Sequence, residues 1–137
     1  MVITTEDARR VLDSATARAA ERSRTVTAVD CVVALLQDPT VHVGNVALLN
    51  CGLSVDAFDQ VSCASGVDID ALVAQAHVSA LSIGDRYVGP HHLLLALFQC
   101  ESSRDEMADI MTGHGVSENS VRAAVLDLLG RDRGGGP

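Results

Sequence analysis

Two neighbouring histidines, His91 and His92, open the segment YVGPHHLLLALF. Imidazoles at this spacing raise two chemistries, metal ligation and proton transfer near neutral pH. The same segment also has the form of a buried helix start, with Gly89 and Pro90 ahead of an apolar run. Further chemistry-bearing residues are His42, His77, His114, Asp30 and the thiols Cys31, Cys51, Cys63 and Cys100. The four cysteines are scattered and form no CxxC pair, so the usual zinc-ligand spacings are absent and no metal site is expected. Cys31 falls inside an apolar run and reads as a small core residue. Adjacent helical residues point about 100° apart, so His91 and His92 are not expected to chelate one ion together.

The elements that must position these residues are helices. Apolar residues recur at helical spacing through the chain, and strand alternation is weak. A first helix is predicted to start at Thr4 or Thr5 and run through ARRVLDSATARAAER, with Val11, Ala15 and Ala19 on one narrow stripe. AVDCVVALLQ forms a second helix, with Thr27 and Asp30 as a capping box. NVALLNC closes at Gly52, and a short helix with Val55 and Phe58 follows Ser54. The linker SCASG then leads into DIDALVAQAHVSALSIG, whose Leu72, Ala76 and Ala80 share a stripe. PHHLLLALFQ, DEMADIMTGHG and SENSVRAAVLDLLG complete the set, the last capped by Ser117.

Laying the second half over the first pairs Ala15 with Ala76, Ala34 with Ala96 and Gly52 with Gly115. These offsets drift by one residue at a time, as loop-length changes would produce. The pattern is an internal duplication of two four-helix units. Repeat one covers about 4–60 and repeat two about 67–130, and 131–137 is expected to be a disordered tail. In this alignment His92 pairs with Asp30 and His91 with Val29. Asp30 and His92 then share the third helical position, from which a side chain reaches back to the preceding turn. Both are expected to be structural. His91, one position earlier, is demanded by no capping rule and is expected to face away from that contact.

Composition narrows the function. The chain has 137 residues, 47% hydrophobic but 2% aromatic, so its core is built from Ala, Val and Leu. Its formal charge is −8, its ten cations are all arginine, and it has no Trp and a single Tyr. That excludes the basic surface and stacking platforms of a nucleic-acid binder. No apolar leader follows the polar start MVITTEDARR, and no stretch is long enough to span a bilayer. A cytoplasmic location with reduced thiols is expected.

With its repeats in place, the chain resembles the double Clp-N repeat, the N-terminal domain of Clp/heat-shock AAA+ unfoldases. TEDARRVLDSA resembles the family's opening helix. YVGPHHLLLALF resembles its YVGTEHLLLAL signature, with His92 at the family histidine, and GHGVSENSVRAAVLDLL resembles the close of the second repeat. The resemblance covers residues 4–129 and implies an all-α, eight-helix bundle of two pseudo-symmetric four-helix repeats. It implies a domain that recruits substrates and adaptors. There is no Walker A sequence and no lysine to complete one, so P-loop ATP hydrolysis is excluded. The domain is read as standing alone, with no cofactor.

The resemblance also marks contact positions that differ here. Family glutamates that bind phosphorylated arginine fall at Val29 and His91, and neither supplies a carboxylate. Phenylalanines at a groove for cyclic peptide antibiotics fall at Thr4 and about Ser65, and a neighbouring lysine falls at Asp70. Thr4, Val29, Asp70 and His91 are therefore the candidate partner- or ligand-binding positions. Three readings of function follow. One is a non-catalytic module that binds protein or peptide as adaptor, decoy or sequestering protein of a Clp unfoldase or protease. Another is a fold recruited as an enzyme or small-ligand protein in specialised metabolism, with His91 the candidate catalytic residue and His42, His77, His114, Asp30, Cys51 and Cys63 possible helpers. A third is a structural remnant of a larger complex.

Overall fold

The computed structural model describes residues 3–58 and 66–130, which form eight helices and one pair of two-residue strands. The order is β1 (Ile3–Thr4), α1 (Glu6–Glu21), α2 (Ala28–Gln37), α3 (Val43–Asn50), α4 (Val55–Phe58), α5 (Ile69–Ser82), β2 (Tyr87–Val88), α6 (Pro90–Leu97), α7 (Arg104–Gly113) and α8 (Glu118–Leu129). The tail 131–137 and the linker residues Cys63 and Ser65 lie outside the described residues.

Side-chain caps mark the starts of α1, α2, α5 and α8. Thr5 accepts from the Ala8 amide, Asp68 from Ala71 and Ser117 from Ser120. Thr27 and Asp30 form the reciprocal capping box at α2. Past α3, Gly52 takes a positive φ of 84°, the left-handed conformation that glycine enters without a Cβ penalty. The small-residue stripes face inward. Ala15 and Ala76 are both fully buried, as are Ala8 and Ala80. Small side chains at these positions let neighbouring helices approach closely.

The centre of the bundle is α6. All eight of its residues are buried, and α5, α3, α1, α2, α8 and β2 all pack on it. Leu93, Leu94, Leu95 and Leu97 are each at most 2% exposed. Burying one such side chain is worth about 1.5–3 kcal/mol, so this short helix carries a large share of the stability.

One element departs from the all-helical expectation. β1 and β2 pair in parallel, Ile3 opposite Tyr87 and Thr4 opposite Val88. The Thr5 amide donates to the Val88 carbonyl at 2.9 Å. Two residues per strand are too few to show alternation in sequence. The pairing ties the segment before α1 to the segment before α6.

Candidate functional site

The chemistry-bearing residues converge where β2 meets α6. The turn after α5 delivers Asp85, β2 delivers Tyr87, and the first turn of α6 delivers His91 and His92. His92 is fully buried and sits third in its helix. Its Nδ1 accepts from the Gly89 amide at 2.8 Å, and its Nε2 meets Asp85 Oδ2 at 2.8 Å. A backbone amide can only donate, so Nδ1 carries the lone pair and Nε2 carries the proton. The result is a hydrogen-bond line from the Gly89 backbone through the ring to the Asp85 carboxylate, which fixes the turn ahead of α6.

His91 differs from its sequence-based expectation. It is 5% exposed rather than open, and its ring centroid lies 3.9 Å from that of His92. Its Nε2 is 3.8 Å from Asp85 Oδ2, beyond hydrogen-bond range, and has no hydrogen-bond partner. The physical reason is tertiary. The start of α3 crosses the start of α6 so closely that a Cβ on Gly44 would stand 3.2 Å from the His91 amide nitrogen. Tyr87 meets the pair edge-on, its ring 6.1 Å from His91 and 5.2 Å from His92. Burial, then the neighbouring His92 imidazole, push the His91 pKa down to about 4 against the pull of Asp85, so the ring is neutral at pH 7.

Asp85, His91 and His92 each place one possible ligand atom within 4.8 Å of the others, a set of two imidazoles and a carboxylate. Such a set can hold a transition metal when every ligand atom offers a lone pair. Here His92 Nε2 offers a proton instead, because its other nitrogen is occupied by the Gly89 amide. Metal ligation at His92 would require an imidazolate or the loss of the cap. That tautomer, rather than the divergence of neighbouring side chains, is the feature that opposes metal ligation by the pair. The angular argument is too simple, because both rings turn toward the same carboxylate, at 2.8 Å for His92 and 3.8 Å for His91.

In the first half, Asp30 occupies the corresponding place. Its carboxylate is fully buried, accepts from the Thr27 amide at 2.9 Å, and is clamped by Arg18 and Arg24. Burial opposes its ionisation, but the Arg24 guanidinium and the Thr27 amide outweigh it and hold the carboxyl below its usual range. A second polar cluster centres on Asp38, which receives Arg10 at 2.6 and 3.0 Å and meets His42 Nε2 at 2.8 Å. His42 also N-caps α3, with Nδ1 accepting from the Asn45 amide.

The remaining candidates are dispersed. Thr4 lies on β1 opposite Val88, two residues short of Pro90. Val29 is 1% exposed in the core of α2, and Asp70 is exposed in the first turn of α5. His77 is half-buried along α5. His114 is exposed, packs on Phe58 and donates from Nδ1 to the Ile110 carbonyl. Cys51 is half-buried, and burial raises its thiol pKa. Burial also pushes Cys31 up to about 12, so that thiol is inert. Asp85 was missed by sequence reading. Its signal is an acid seven residues before His92 and just ahead of a strand too short to recognise.

Comparison with known proteins addresses the fold. No protein-family model matches the chain, and no curated protein is similar to it in sequence. Among solved structures, the N-terminal domain of Hsp104 from Candida albicans superposes with a TM-score of 0.73 at 16% identity, covering 94% of this chain and 93% of that one. The N-terminal domain of ClpD, a caseinolytic protease associated chaperone from Arabidopsis thaliana, gives 0.66 at 19% identity over 92% and 96% of the two chains. The protein has the helical fold of Clp and Hsp104 N-terminal domains. Among the described residues, no helix is long and apolar enough to cross a membrane.

Proposed function

We propose that this protein is a non-catalytic module that binds protein or peptide in a chaperone context, as adaptor, decoy or sequestering protein of a Clp-type unfoldase. The observation that carries the reading is the closed Asp85–His91–His92 cluster. The richest group of reactive side chains among the described residues is at most 5% exposed at each member. Its hydrogen bonds hold the α6 turn rather than face a substrate. An acid–base residue has to come within about 3 Å of the proton it moves, directly or through one water. His91 as placed here does not meet that requirement, which weighs against the enzyme reading.

The domain is read as a single unit of two repeats, about 4–60 and 67–130, supported by the matching caps Thr27–Asp30 and Gly89–His92. We read Thr4 and Asp70, which reach the surface in whole or in part, as partner-facing positions. Val29 and His91 are placed too deep to grip a guanidinium, and phosphoarginine recognition is not proposed. The test is a titration of fluorescently labelled, permanently unfolded casein with this protein, read by anisotropy. Saturable binding that a folded control polypeptide does not reproduce supports the reading. A flat titration with protein verified as folded by circular dichroism contradicts it.

A further inference from the structure

The helix α5 carries two apolar faces, and only one of them is covered. Leu72, Ala76, Ser79 and Ala80 are buried, and the helix packs on α6 and β2. Its outward face carries Ala71, Ala74, Val78 and Leu81, all exposed, with Val78 at 58% and Leu81 at 60%. Their 3-4-3 spacing is that of a helix–helix seam. A second apolar face on a surface helix is ordinarily covered by a partner.

We propose that this face pairs antiparallel with α5 of a second copy of the chain. The order of side-chain sizes argues for that occupant and that direction. Small residues occupy the first half of the seam and large ones the second. An antiparallel two-fold sets Ala71 against Leu81 of the second copy and Ala74 against Val78, so each large side chain meets a small one and the seam fills. A parallel pair would stack Leu81 on Leu81 and leave the alanine end gapped. Charge agrees. Asp70, the one acidic residue of α5 and just ahead of the seam, comes opposite Ser82. The exposed Arg86, just past the C-terminal end of α5, comes to the end where the second copy presents Asp68 and Asp70.

The size of the face sets the strength. Fourteen residues at ~1.5 Å rise make a contact about 20 Å long and about 10 Å wide. That is well below the ~800 Å² per partner of a standard interface. The formal charge of −8 on each copy opposes association further. The dimer is therefore weak and concentration-dependent. This inference does not rest on the binding function proposed above, although Asp70 borders both surfaces.

Sedimentation equilibrium from about 10 μM to about 1 mM, at about 0.15 M salt, tests it. The apparent mass is expected to rise with concentration from 14.3 kDa toward twice that value. The exposed-site double variant Val78→Asp with Leu81→Asp is expected to stay monomeric throughout with an unchanged circular dichroism spectrum. For the register, Ala74→Cys mixed with Val78→Cys should cross-link on mild oxidation, above the background of the parent chain. Val78→Cys alone should not. A monomer at every concentration overturns the proposal. So does association that survives the double variant, or Val78→Cys homodimers forming faster than the mixed pair. Loss of casein binding in a double variant whose parent is monomeric would assign the face to polypeptide instead, and would also overturn it.

Discussion

His91 and His92 share one carboxylate unequally. Asp85 Oδ2 lies 2.8 Å from His92 Nε2 and 3.8 Å from His91 Nε2, and the two rings are 3.9 Å apart. One histidine is fully engaged at both nitrogens, and the other is buried with its Nε2 unpartnered. Their substitutions are expected to behave differently for that reason.

His92→Ala removes the acceptor for the Gly89 amide and the donor to Asp85 in one step. The loss is expected to be about 2–3 kcal/mol, because a buried donor and a buried carboxylate both lose a partner. Urea denaturation of the variant beside the parent checks this. A change below about 0.5 kcal/mol would mean that the line through His92 does not hold the turn.

His91→Leu keeps most of the packing and deletes the unpartnered nitrogen. Its stability at pH 7.5 is expected within about 1 kcal/mol of the parent, the range of swaps that conserve volume. His91→Ala leaves a cavity beside Tyr87 and is expected to cost more, about 1–3 kcal/mol. If His91→Ala proves neutral in denaturation, the side chain is not packed as described.

The same residue sets a pH dependence. In the unfolded chain His91 titrates near 6.5, and in the fold it is held to about 4. The unfolded chain therefore takes the proton first. Stability is complete above about pH 6.5 and falls as pH drops toward 4, by about 3 kcal/mol in all. Asp30 and Asp38, both held below the usual carboxyl range, contribute a separate loss at still lower pH. Melting temperatures across pH 7.5 to 4.5 should slope downward in the parent and flatten in His91→Leu. An equal slope in both chains would place the titrating group elsewhere.

These residues show what sequence could and could not reveal. Helices and their caps were legible because they rest on local chemistry. Thr27 with Asp30, Gly52 and Ser117 act on neighbours within a few positions, and Val11, Ala15 and Ala19 repeat at helical spacing. His92 was legible for the same reason, since its third-position cap is local. His91 was not, because its burial comes from the start of α3 crossing at Gly44. Asp85 sits seven residues upstream with no periodic signal, and the β1–β2 pairing joins segments more than eighty residues apart through two residues each.

Ala76 tests the packing of α5 against α6. It is fully buried on the face that α5 turns to α6. Ala76→Leu is expected to destabilise by about 1–3 kcal/mol, because the added carbons have no space. A neutral result in chemical denaturation would mean that the helices stand further apart than described.

The reading of the protein as a binding module rather than a catalyst is tested most directly by competition for an unfolded chain. Labelled, permanently unfolded casein is bound to an isolated N-terminal domain of a Clp unfoldase, and this protein is titrated in while anisotropy reports the complex. The account predicts saturable displacement or formation of a larger shared complex, unchanged by His91→Leu. It is contradicted if folded protein neither displaces the domain nor joins the complex, or if His91→Leu alone abolishes the effect.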